Sequence, residues 1–530
     1  MILPQLTDKI RRFLRAGTPV HPLLFGVYPV LALYYINIGE VALPAIREAL
    51  ITSLVITAAT CFVFLLLVRS WRKAAAAISF SLILVFTYGH IYNLLEGTSI
   101  AGMILGRHRI LLPVWGVTLL LGATWLVRSG KGEAWGRSLN TISFVMVILI
   151  LVQAGIFFLR TSTAAVEPPS ADADLQEAVD QAAERDVYYI LVDAYSRQDV
   201  LLDSFRLDNS RFLSDLKDLG FYVPQCAQSN YNTTYSSMTS TLNMNYLEAL
   251  GIDEGTANHV TFKPFLQRSA IFRLFRKLGY QTVTFKSLHP VIDLKDSTYY
   301  YDYFAGNSSF ENLDSINFQY LFLKTTVFLP LVGYLEGTHN LNLPEFWAAW
   351  IPVNSTLNSR EFRQYQQNTF ALDSLESIPD LPGRKFVYAH LFVTHQPFVF
   401  YPDGSFHASL PQSYRAYRDQ VLFANKRLLE IVRAILEKSR IEPVIVIQSD
   451  HSFLSGVDRV KILNAYRLPD GGNELLYPTI TPVNTFRLIF NRYFGGDYEI
   501  LPDISKYVHS NDGRRRDYRV APSTCVPADQ

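Results

Sequence analysis

Three apolar runs in the second half of the chain end in side chains that can bind a metal ion or a phosphate group. Asp193 closes VYYILVD, and His395 follows FVYAHLFV on a predicted turn. Asp450 and His451 come directly after VIVIQS. Because ligands gather at the carboxyl ends of strands in open α/β sheets, we expect these residues to lie close together, where they would suit Zn²⁺ or Mn²⁺. Taken singly, each also has a structural interpretation as a helix cap or a hydrogen-bonded imidazole.

A hydroxyl-rich segment, SNYNTTYSSMTSTLNMNYL at 229–247, supplies candidate nucleophiles. Its pattern is typical of a turn followed by a stretch that opens a helix. The amino end of a helix presents backbone N–H groups and the positive end of the dipole to a phosphoryl anion. A neighbouring divalent cation would lower the pKa of a hydroxyl and activate it for attack. The composition does not choose among the hydroxyls between 233 and 241, and helix capping explains it as readily as catalysis.

The elements that carry these residues alternate between two kinds of pattern. Short apolar runs typical of strands recur at 187–193, 282–285, 386–393 and 444–450. Longer amphipathic stretches separate them, and the spacing predicts a helix over 413–439. Near-continuous apolar strands between helices indicate a parallel sheet covered on both faces, so we expect an α/β domain over about 185–510.

The first part of the chain has a different composition. Apolar residues make up 49% of the sequence and charged residues only 18%, and most of the charge deficit lies before residue 160. Each of five apolar stretches there is close to the length that crosses a bilayer as a helix. They are residues 23–40, 49–68, 74–95, 110–127 and 139–159. Residues 1–160 are therefore predicted to be a membrane domain of five spans.

Loop charges orient this domain. If five spans are drawn, three basic clusters fall on one side, and the positive-inside rule makes that side cytoplasmic. The clusters are Lys9, Arg11, Arg12 and Arg15; Arg69, Arg72 and Lys73; and Arg128, Lys131 and Arg137. Arg107 and Arg109 are the exceptions. Residues 161–185 are rich in Ala, Asp, Glu and Pro and are predicted to be a solvated linker. From the orientation of the spans we expect everything after it on the extracytoplasmic side of the cytoplasmic membrane.

A further apolar stretch and the cysteines leave alternatives open. Lys324 and Pro330 interrupt the stretch 318–334, which is predicted to be a core helix of the α/β domain or a segment lying on the membrane surface. Cys226 and Cys525 pair only if their domain is outside the cytoplasm, and unpaired thiols are the simpler expectation.

The net charge of +1, with no basic stripe, excludes a nucleic-acid surface.

Five motifs occur in an order that is similar to a known family. VYYILVDAYSR, SNYNTTYSSMTSTLNM, THQPF, VIVIQSDHS and TPVNTFRLIFNRYF resemble the sulfatase-like hydrolase/transferase family of the alkaline phosphatase superfamily. Its members include membrane phosphoethanolamine transferases and lipoteichoic acid synthases, which also have five spans before an extracytoplasmic catalytic domain. The resemblance implies an α/β alkaline-phosphatase-like catalytic domain at 186–510, a tail at 511–530, and one divalent metal ion, Zn or Mn.

Site roles follow from matching positions. The resemblance implies that Asp193, Asp450 and His451 are metal ligands. It implies that Thr234 is both nucleophile and metal ligand, with Thr233 as a rival one residue away. His395 would contact the substrate phosphate or protonate the leaving group.

Two departures from the family pattern bear on the substrate. Formylglycine sulfatases carry Cys or Ser followed by x-Pro-x-Arg, whereas Thr234 is followed by Tyr-Ser-Ser-Met, which argues against sulfate-ester hydrolysis. Related transferases also have a His soon after the Asp-His pair, but here none follows His451 before His509. Ser452, Arg459 and Lys461 are the candidates to replace it.

These observations favour a membrane-bound phosphotransferase. Through a Thr intermediate it would move a phospho-substituent, phosphoethanolamine- or phosphoglycerol-like, from a membrane phospholipid to an envelope glycan or lipid. The first alternative keeps the site but uses water, giving a phosphodiesterase, phosphatase or sulfatase-like hydrolase. The second is a catalytically silent envelope protein that serves in binding or assembly. The sequence predicts no oligomeric state.

Overall fold

The chain folds into two compact units, Met1–Thr163 with Gly306–Ser355, and Ala164–Ala305 with Thr356–Gln530. The structure is a computed structural model. It describes residues 18–38, 41, 43–96, 98–100, 103–129, 131–163, 184–257, 259–287, 289, 291–305, 313–332, 360–407, 413–511, 516–523 and 525. Most of the predicted linker at 161–185 lies outside these residues.

Long apolar helices build the first unit. They are His21–Ile36, Arg47–Val68, Trp71–Leu95, His108–Arg128 and Lys131–Thr163. A short 3₁₀ turn, Leu43–Ile46, precedes the second helix, and strands β1 (Ser99–Ile100) and β2 (Met103–Ile104) form a small hairpin between the third and fourth.

Four helices in the described part of the chain are long and apolar enough to cross a membrane. Four of the five predicted spans are therefore confirmed by length and composition. The helix at the first predicted span, His21–Ile36, has only 16 residues. At 1.5 Å per residue it falls short of a hydrocarbon core about 30 Å thick. The total of five spans stays a prediction.

A six-stranded sheet forms the centre of the second unit. Its strands are β3 (Val187–Val192), β4 (Gln281–Phe285), β5 (Tyr299–Tyr301), β6 (Lys385–Leu391), β7 (Val444–Gln448) and β8 (Asn464–Arg467). The spatial order is β5-β4-β6-β3-β7-β8, and every neighbouring pair is parallel except β7 with β8. All six residues of β3 are buried and alternate between two separate apolar cores. Because both faces are covered, the expected mainly parallel α/β sheet is confirmed.

Helices cover the two faces of this sheet. They are Gln198–Phe205, Ser210–Asp218, Thr234–Leu242, His259–Gln267, Ala270–Lys277, Arg360–Leu375, Tyr414–Lys438 and Pro482–Tyr493. The helix predicted at 413–439 is present as Tyr414–Lys438. The hydroxyl oxygen of Ser413 caps it by accepting a hydrogen bond from the Ala416 N–H at 3.3 Å.

The apolar stretch 318–334 belongs to the first unit. A helix forms at Leu313–Thr325, inside the segment Gly306–Ser355 that groups with the membrane helices. Phe322 is fully buried there, and its ring centroid lies 5.8 Å from that of Phe86. The sequence placed this stretch within the domain at 186–510, so the structure differs from the core-helix interpretation. The sequence could not distinguish the two locations because an apolar helix face packs against membrane helices as well as it packs in an α/β core.

The C-terminal region carries a second hairpin. Strands β9 (Lys506–Asn511) and β10 (Arg516–Val520) pair antiparallel, so part of the predicted tail at 511–530 is ordered as a strand. Beyond them, Cys525 forms a disulfide with Cys226 across a sequence separation of 299 residues. The simpler expectation of unpaired thiols is therefore wrong, because the fold brings the Cα atoms of the two cysteines within 5.4 Å of each other.

Candidate functional site

The carboxyl ends of three adjacent strands converge at one edge of the sheet. Strand β3 lies between β6 and β7, with Leu191 in register with His390 on one side and Gln448 on the other. Asp193 follows the last residue of β3, and Asp450 lies two residues after the end of β7. Parallel register therefore brings residues that are far apart in the sequence to the same place.

Three of the predicted ligands form one cluster. Each of Asp193, Asp450 and His451 offers a ligand atom, and these atoms all lie within 4.8 Å of one another. The Nε2 atom of His451 is 3.7 Å from Oδ1 of Asp193 and 3.4 Å from Oδ2 of Asp450. All three residues are almost completely buried. Two buried carboxylates beside an imidazole need a compensating positive charge, which a divalent cation provides.

The hydrogen bonding of the carboxylates fits a metal ion. One oxygen of each is held by the protein: Asp193 Oδ2 by His390 Nε2 at 3.1 Å, and Asp450 Oδ1 by the Ala194 N–H at 3.2 Å. The other two oxygens, Asp193 Oδ1 and Asp450 Oδ2, are buried without a hydrogen-bond partner in the part of the chain that the structure describes. Buried carboxylate oxygens are rarely left unpaired, so this pair is suited to coordinate a cation.

The tautomer of His451 is fixed by the chain. Its Nδ1 lies 2.9 Å from the carbonyl oxygen of Ser452, which can only accept, so Nδ1 carries the proton and donates. The lone pair of Nε2 then faces the cluster. Burial lowers the pKa of His451 below its ordinary value, which keeps the imidazole neutral as a ligand must be.

Thr234 lies beside the same imidazole. It is the first residue of the helix Thr234–Leu242, and its Oγ1 is 3.2 Å from Nε2 of His451. The rival, Thr233, is the residue before the helix, and its Oγ1 donates instead to Oγ of Ser236 at 2.9 Å. Of the two hydroxyls, the structure therefore brings Thr234 to the carboxylate–imidazole cluster.

A buried amide fixes the turn that leads to Thr234. Nδ2 of Asn230 donates to Oγ1 of Thr481 and to the carbonyl of Ile504, each at 3.0 Å. Its Oδ1 accepts from the Val483 N–H at 2.8 Å. These contacts connect the turn to the start of the helix Pro482–Tyr493, so the position of the hydroxyl depends on distant parts of the chain.

His395 lies on the turn after β6, half-buried, with its Nδ1 2.5 Å from the carbonyl oxygen of Gln396. Burial by itself would raise the pKa of Asp193. The interaction with His395 and the hydrogen bond from His390 outweigh burial and hold the pKa of Asp193 well below its usual range. His395 is therefore close enough to the cluster to act on its electrostatics.

Sequence reasoning missed His390. Its imidazole is buried, stacks on Phe392 with ring centroids 4.4 Å apart, and contacts Asp193. The available signal was a histidine inside the otherwise apolar run FVYAHLFV. Its role as a partner of Asp193 depends on the register of β3 with β6, which the pattern of one strand does not reveal.

The sheet with this cluster at the carboxyl ends of its strands belongs to an enzyme of the alkaline phosphatase superfamily, in the class of transferases and hydrolases, as a match to a family model shows. The chain belongs to the sulfatase family, whose model matches residues 185–486. The resemblance seen in the motifs is thereby confirmed. No curated protein matches the chain.

Several solved structures are similar to parts of the chain. The C-terminal periplasmic domain of EptC from Escherichia coli, in complex with Zn, has 10% identity and a TM-score of 0.37, covering 65% of this chain and 94% of its own. The integral membrane lipooligosaccharide phosphoethanolamine transferase EptA from Neisseria meningitidis has 12% identity and a TM-score of 0.37, covering 89% and 94%. The lipoteichoic acid synthase LtaP from Listeria monocytogenes has 12% identity and a TM-score of 0.34, covering 60% and 78%.

Proposed function

We propose that this protein is a membrane-bound, divalent-metal-dependent phosphotransferase. It moves a phosphoethanolamine- or phosphoglycerol-like group from a phospholipid donor to an envelope glycan or lipid. The observation that carries the proposal is the position of Thr234. Its hydroxyl lies at the first residue of a helix and 3.2 Å from Nε2 of His451.

Asp193, Asp450, His451 and the Thr234 hydroxyl are the residues that would hold the metal ion, Zn or Mn. When bound, such a cation lowers the pKa of a coordinated hydroxyl and polarises a phosphoryl oxygen. The support is the donor set, one oxygen from each of two carboxylates and one imidazole nitrogen, which all lie within 4.8 Å of one another.

The remaining chemistry is done by the chain. Thr234 Oγ bonds to the phosphorus of the lipid phosphodiester and releases its proton to solvent, while the bond from phosphorus to the diacylglycerol oxygen breaks. His395 gives a proton to that leaving oxygen. N–H groups at the start of the helix Thr234–Leu242 stabilise the charge on the phosphoryl oxygens. An acceptor hydroxyl then attacks phosphorus and gives its proton to His395, and the Thr234 oxygen leaves and takes a proton from solvent.

The proposal places the α/β unit outside the cytoplasmic membrane, after a membrane domain of five spans. The bond between Cys226 and Cys525 supports this location, because disulfides persist in oxidising compartments and are rare in the cytosol. A lipid donor in the same membrane explains why the enzyme is anchored there.

Intact-protein mass spectrometry after incubation with phospholipid and Zn²⁺ or Mn²⁺ tests the proposal. The wild type and Thr233→Ala should gain the mass of the phospho-substituent, and Thr234→Ala should not. Turnover should fall by several powers of ten in Thr234→Ala and change little in Thr233→Ala. An adduct that persists in Thr234→Ala but disappears in Thr233→Ala would move the nucleophile by one residue. Turnover without an adduct in any form would contradict the covalent step.

A hydrolase that uses water as the acceptor is the second candidate, and membership of the sulfatase family favours it. Product analysis with and without a glycan acceptor separates the two reactions. Sulfate esters remain disfavoured by the sequence Tyr-Ser-Ser-Met after Thr234. A catalytically silent protein would be supported if the purified protein bound no metal ion.

A further inference from the structure

Arg459 places a guanidinium group beside His451 of the cluster. Its Nε donates to the carbonyl of Asn232 at 2.7 Å, two residues before Thr234. One Nη contacts the carbonyl of Leu454 at 3.4 Å, and the other lies 3.1 Å from Nε2 of His451. The side chain is thus held on the loop that carries the nucleophile and on the loop that follows the Asp-His pair.

The guanidinium lies next to the proposed nucleophile and has N–H donors that its protein contacts do not use. Arg459 Nη2 and Thr234 Oγ1 approach the same nitrogen of His451, at 3.1 and 3.2 Å. A guanidinium has five N–H donors, and the three contacts use one each on Nε, Nη1 and Nη2. One N–H on each Nη therefore remains for a ligand next to the Thr234 hydroxyl.

The charge of Arg459 is not compensated by a close carboxylate. In the described ranges, no Asp or Glu oxygen forms a salt bridge with it, although Asp193 and Asp450 are near enough to influence its charge. A divalent cation would balance those two carboxylates. The charge of Arg459 is then left for an anion, and a phosphodiester carries one negative charge on two non-bridging oxygens.

The other two residues considered for this position are engaged elsewhere. Ser452 is fully buried, and its Oγ lies 2.8 Å from Oγ of Ser196. The Nζ of Lys461 forms a salt bridge with Asp458 at 2.7 Å and lies 3.9 Å from Asp199. Arg459 is therefore the residue of the three that reaches the cluster.

We infer that Arg459 is a substrate-binding catalytic residue that clamps the non-bridging oxygens of a phosphodiester beside Thr234. Two parallel N–H donors match the spacing of two phosphate oxygens, which a lysine ammonium cannot reproduce. The inference rests on the proposed function and specifies its substrate class, a phosphate ester with two free oxygens.

The same geometry couples substrate binding to metal binding. Nε2 of His451 has one lone pair, and it cannot both accept from Arg459 and bind a cation. If Nε2 of His451 bound a cation, Arg459 Nη2 would lose its acceptor there and would be available to the phosphate. Removing the guanidinium should consequently leave zinc affinity unchanged or increase it.

The test uses the full-length protein in detergent with Arg459→Ala, Arg459→Lys and, as a control, Lys461→Ala. Zinc binding is measured by competition with a chelator. Binding of inorganic phosphate to the zinc-loaded protein is measured by calorimetry. We expect Arg459→Ala to keep zinc and to weaken phosphate binding by about 10- to 100-fold, as loss of hydrogen bonds to a charged group implies. Arg459→Lys should be intermediate, and Lys461→Ala should match the wild type.

Phosphate affinity that is unchanged in Arg459→Ala, with zinc retained, would overturn the assignment. Loss of zinc and phosphate together would also overturn it, because that result indicates a structural role. If Arg459→Ala does not fold, the same comparison is made with Arg459→Lys.

The mass adduct on Thr234 separates the two proposals. If Arg459→Ala weakens phosphate binding but the wild type forms no adduct, only the proposed transfer reaction is contradicted. If Arg459→Ala forms the adduct normally, only the proposed role of Arg459 is contradicted.

Discussion

At the scale of single residues, His390 connects the sheet to the cluster. Its Nε2 donates to Oδ2 of Asp193 and so orients the other oxygen, Oδ1, toward the cluster. Partners of metal ligands commonly account for 10- to 100-fold in metal affinity. We predict that His390→Ala reduces zinc affinity by about that factor, measured by chelator competition on the folded protein.

His395→Ala is the matched control for this prediction. It removes an imidazole from the turn after β6 that is assigned to the substrate and that contacts the carbonyl oxygen of Gln396 instead of forming a hydrogen bond with Asp193. Zinc affinity should therefore stay within about twofold of the wild type while turnover falls by roughly 100-fold or more. Equal zinc affinity in His390→Ala and the wild type would show that Asp193 needs no orienting partner.

The sequence identified some of these residues and not others for a physical reason. Asp193, Asp450 and His451 follow apolar strands directly, so local pattern and the geometry of parallel sheets indicated them. Thr234 could be chosen from its neighbours only by resemblance to a family. His390 acts through the register of two strands, and no local pattern encodes register between strands nearly 200 residues apart.

At the scale of elements, the C-terminal hairpin braces the loop that precedes Thr234, the proposed nucleophile. The N–H of Lys506 donates to the carbonyl of Asn230 at 2.8 Å, and that of Val508 to Oδ1 of Asn232 at 3.1 Å. The disulfide from Cys226 to Cys525 joins the start of the loop to the chain beyond the hairpin. The hairpin and the disulfide thus restrain both ends of the segment before Thr234.

We predict that Cys525→Ser lowers the free energy of unfolding by about 2–5 kcal/mol, because it releases a long closed loop in the unfolded chain. Amide exchange should increase in residues 226–232. Denaturant unfolding and hydrogen exchange of the purified protein measure the two effects. Cys61→Ser, which removes the free cysteine, should change neither. A Cys525→Ser protein as stable as the wild type would contradict the bracing role.

Elements were predicted well where their signal is local. The helix Tyr414–Lys438 and the strands β3 and β7 follow from periodicity and apolar runs. Strand β10 instead fell within the predicted tail at 511–530, since none of its residues is buried and polar residues are frequent in it. The disulfide partners are 299 residues apart, so their pairing is a property of the tertiary fold.

At the scale of the whole molecule, the chain contributes a late segment to the membrane unit. The amide of Gln319 donates to Oγ1 of Thr52 at 3.1 Å, and the Val327 N–H donates to the carbonyl of Val85 at 2.8 Å. These polar contacts accompany burial of Phe322 in the same apolar core. The helix Leu313–Thr325 and the turn after it therefore belong to the first unit, although they follow residue 163 in the sequence.

Composition could not have assigned this element. An apolar helix interrupted by Lys324 and Pro330 is suited to either core, and the deciding contacts are with residues more than 200 positions earlier. One of these earlier residues is Gly89, whose lack of a side chain lets the backbone of Lys324 and Thr325 approach closely. A Cβ built on Gly89 would lie 2.1 Å from the carbonyl oxygen of Lys324 and 2.7 Å from backbone atoms of Thr325. Any side chain at position 89 would therefore displace the segment.

The last prediction concerns attachment of the catalytic unit to the membrane helices. A protease site is inserted between residues 164 and 183, a tag is placed at the N-terminus, and the protein is cleaved in detergent. Because residues 313–332 are packed in the first unit, the C-terminal fragment of the wild type should copurify with the tag after cleavage. Gly89→Leu should release most of that fragment, since its side chain cannot coexist with the backbone of Lys324 and Thr325.

Gly116→Leu is the matched control, because a Cβ at Gly116 meets no atom within 4 Å in the described structure. It adds the same side chain to a neighbouring membrane helix and should leave copurification unchanged. Release of the wild-type fragment would show that the linker alone attaches the catalytic unit. Retention in Gly89→Leu would show that contacts other than the packing of residues 313–332 hold the fragment. We predict that the C-terminal fragment copurifies in the wild type and Gly116→Leu but not in Gly89→Leu. That pattern requires an attachment, in addition to the linker, that is specific to residues 313–332.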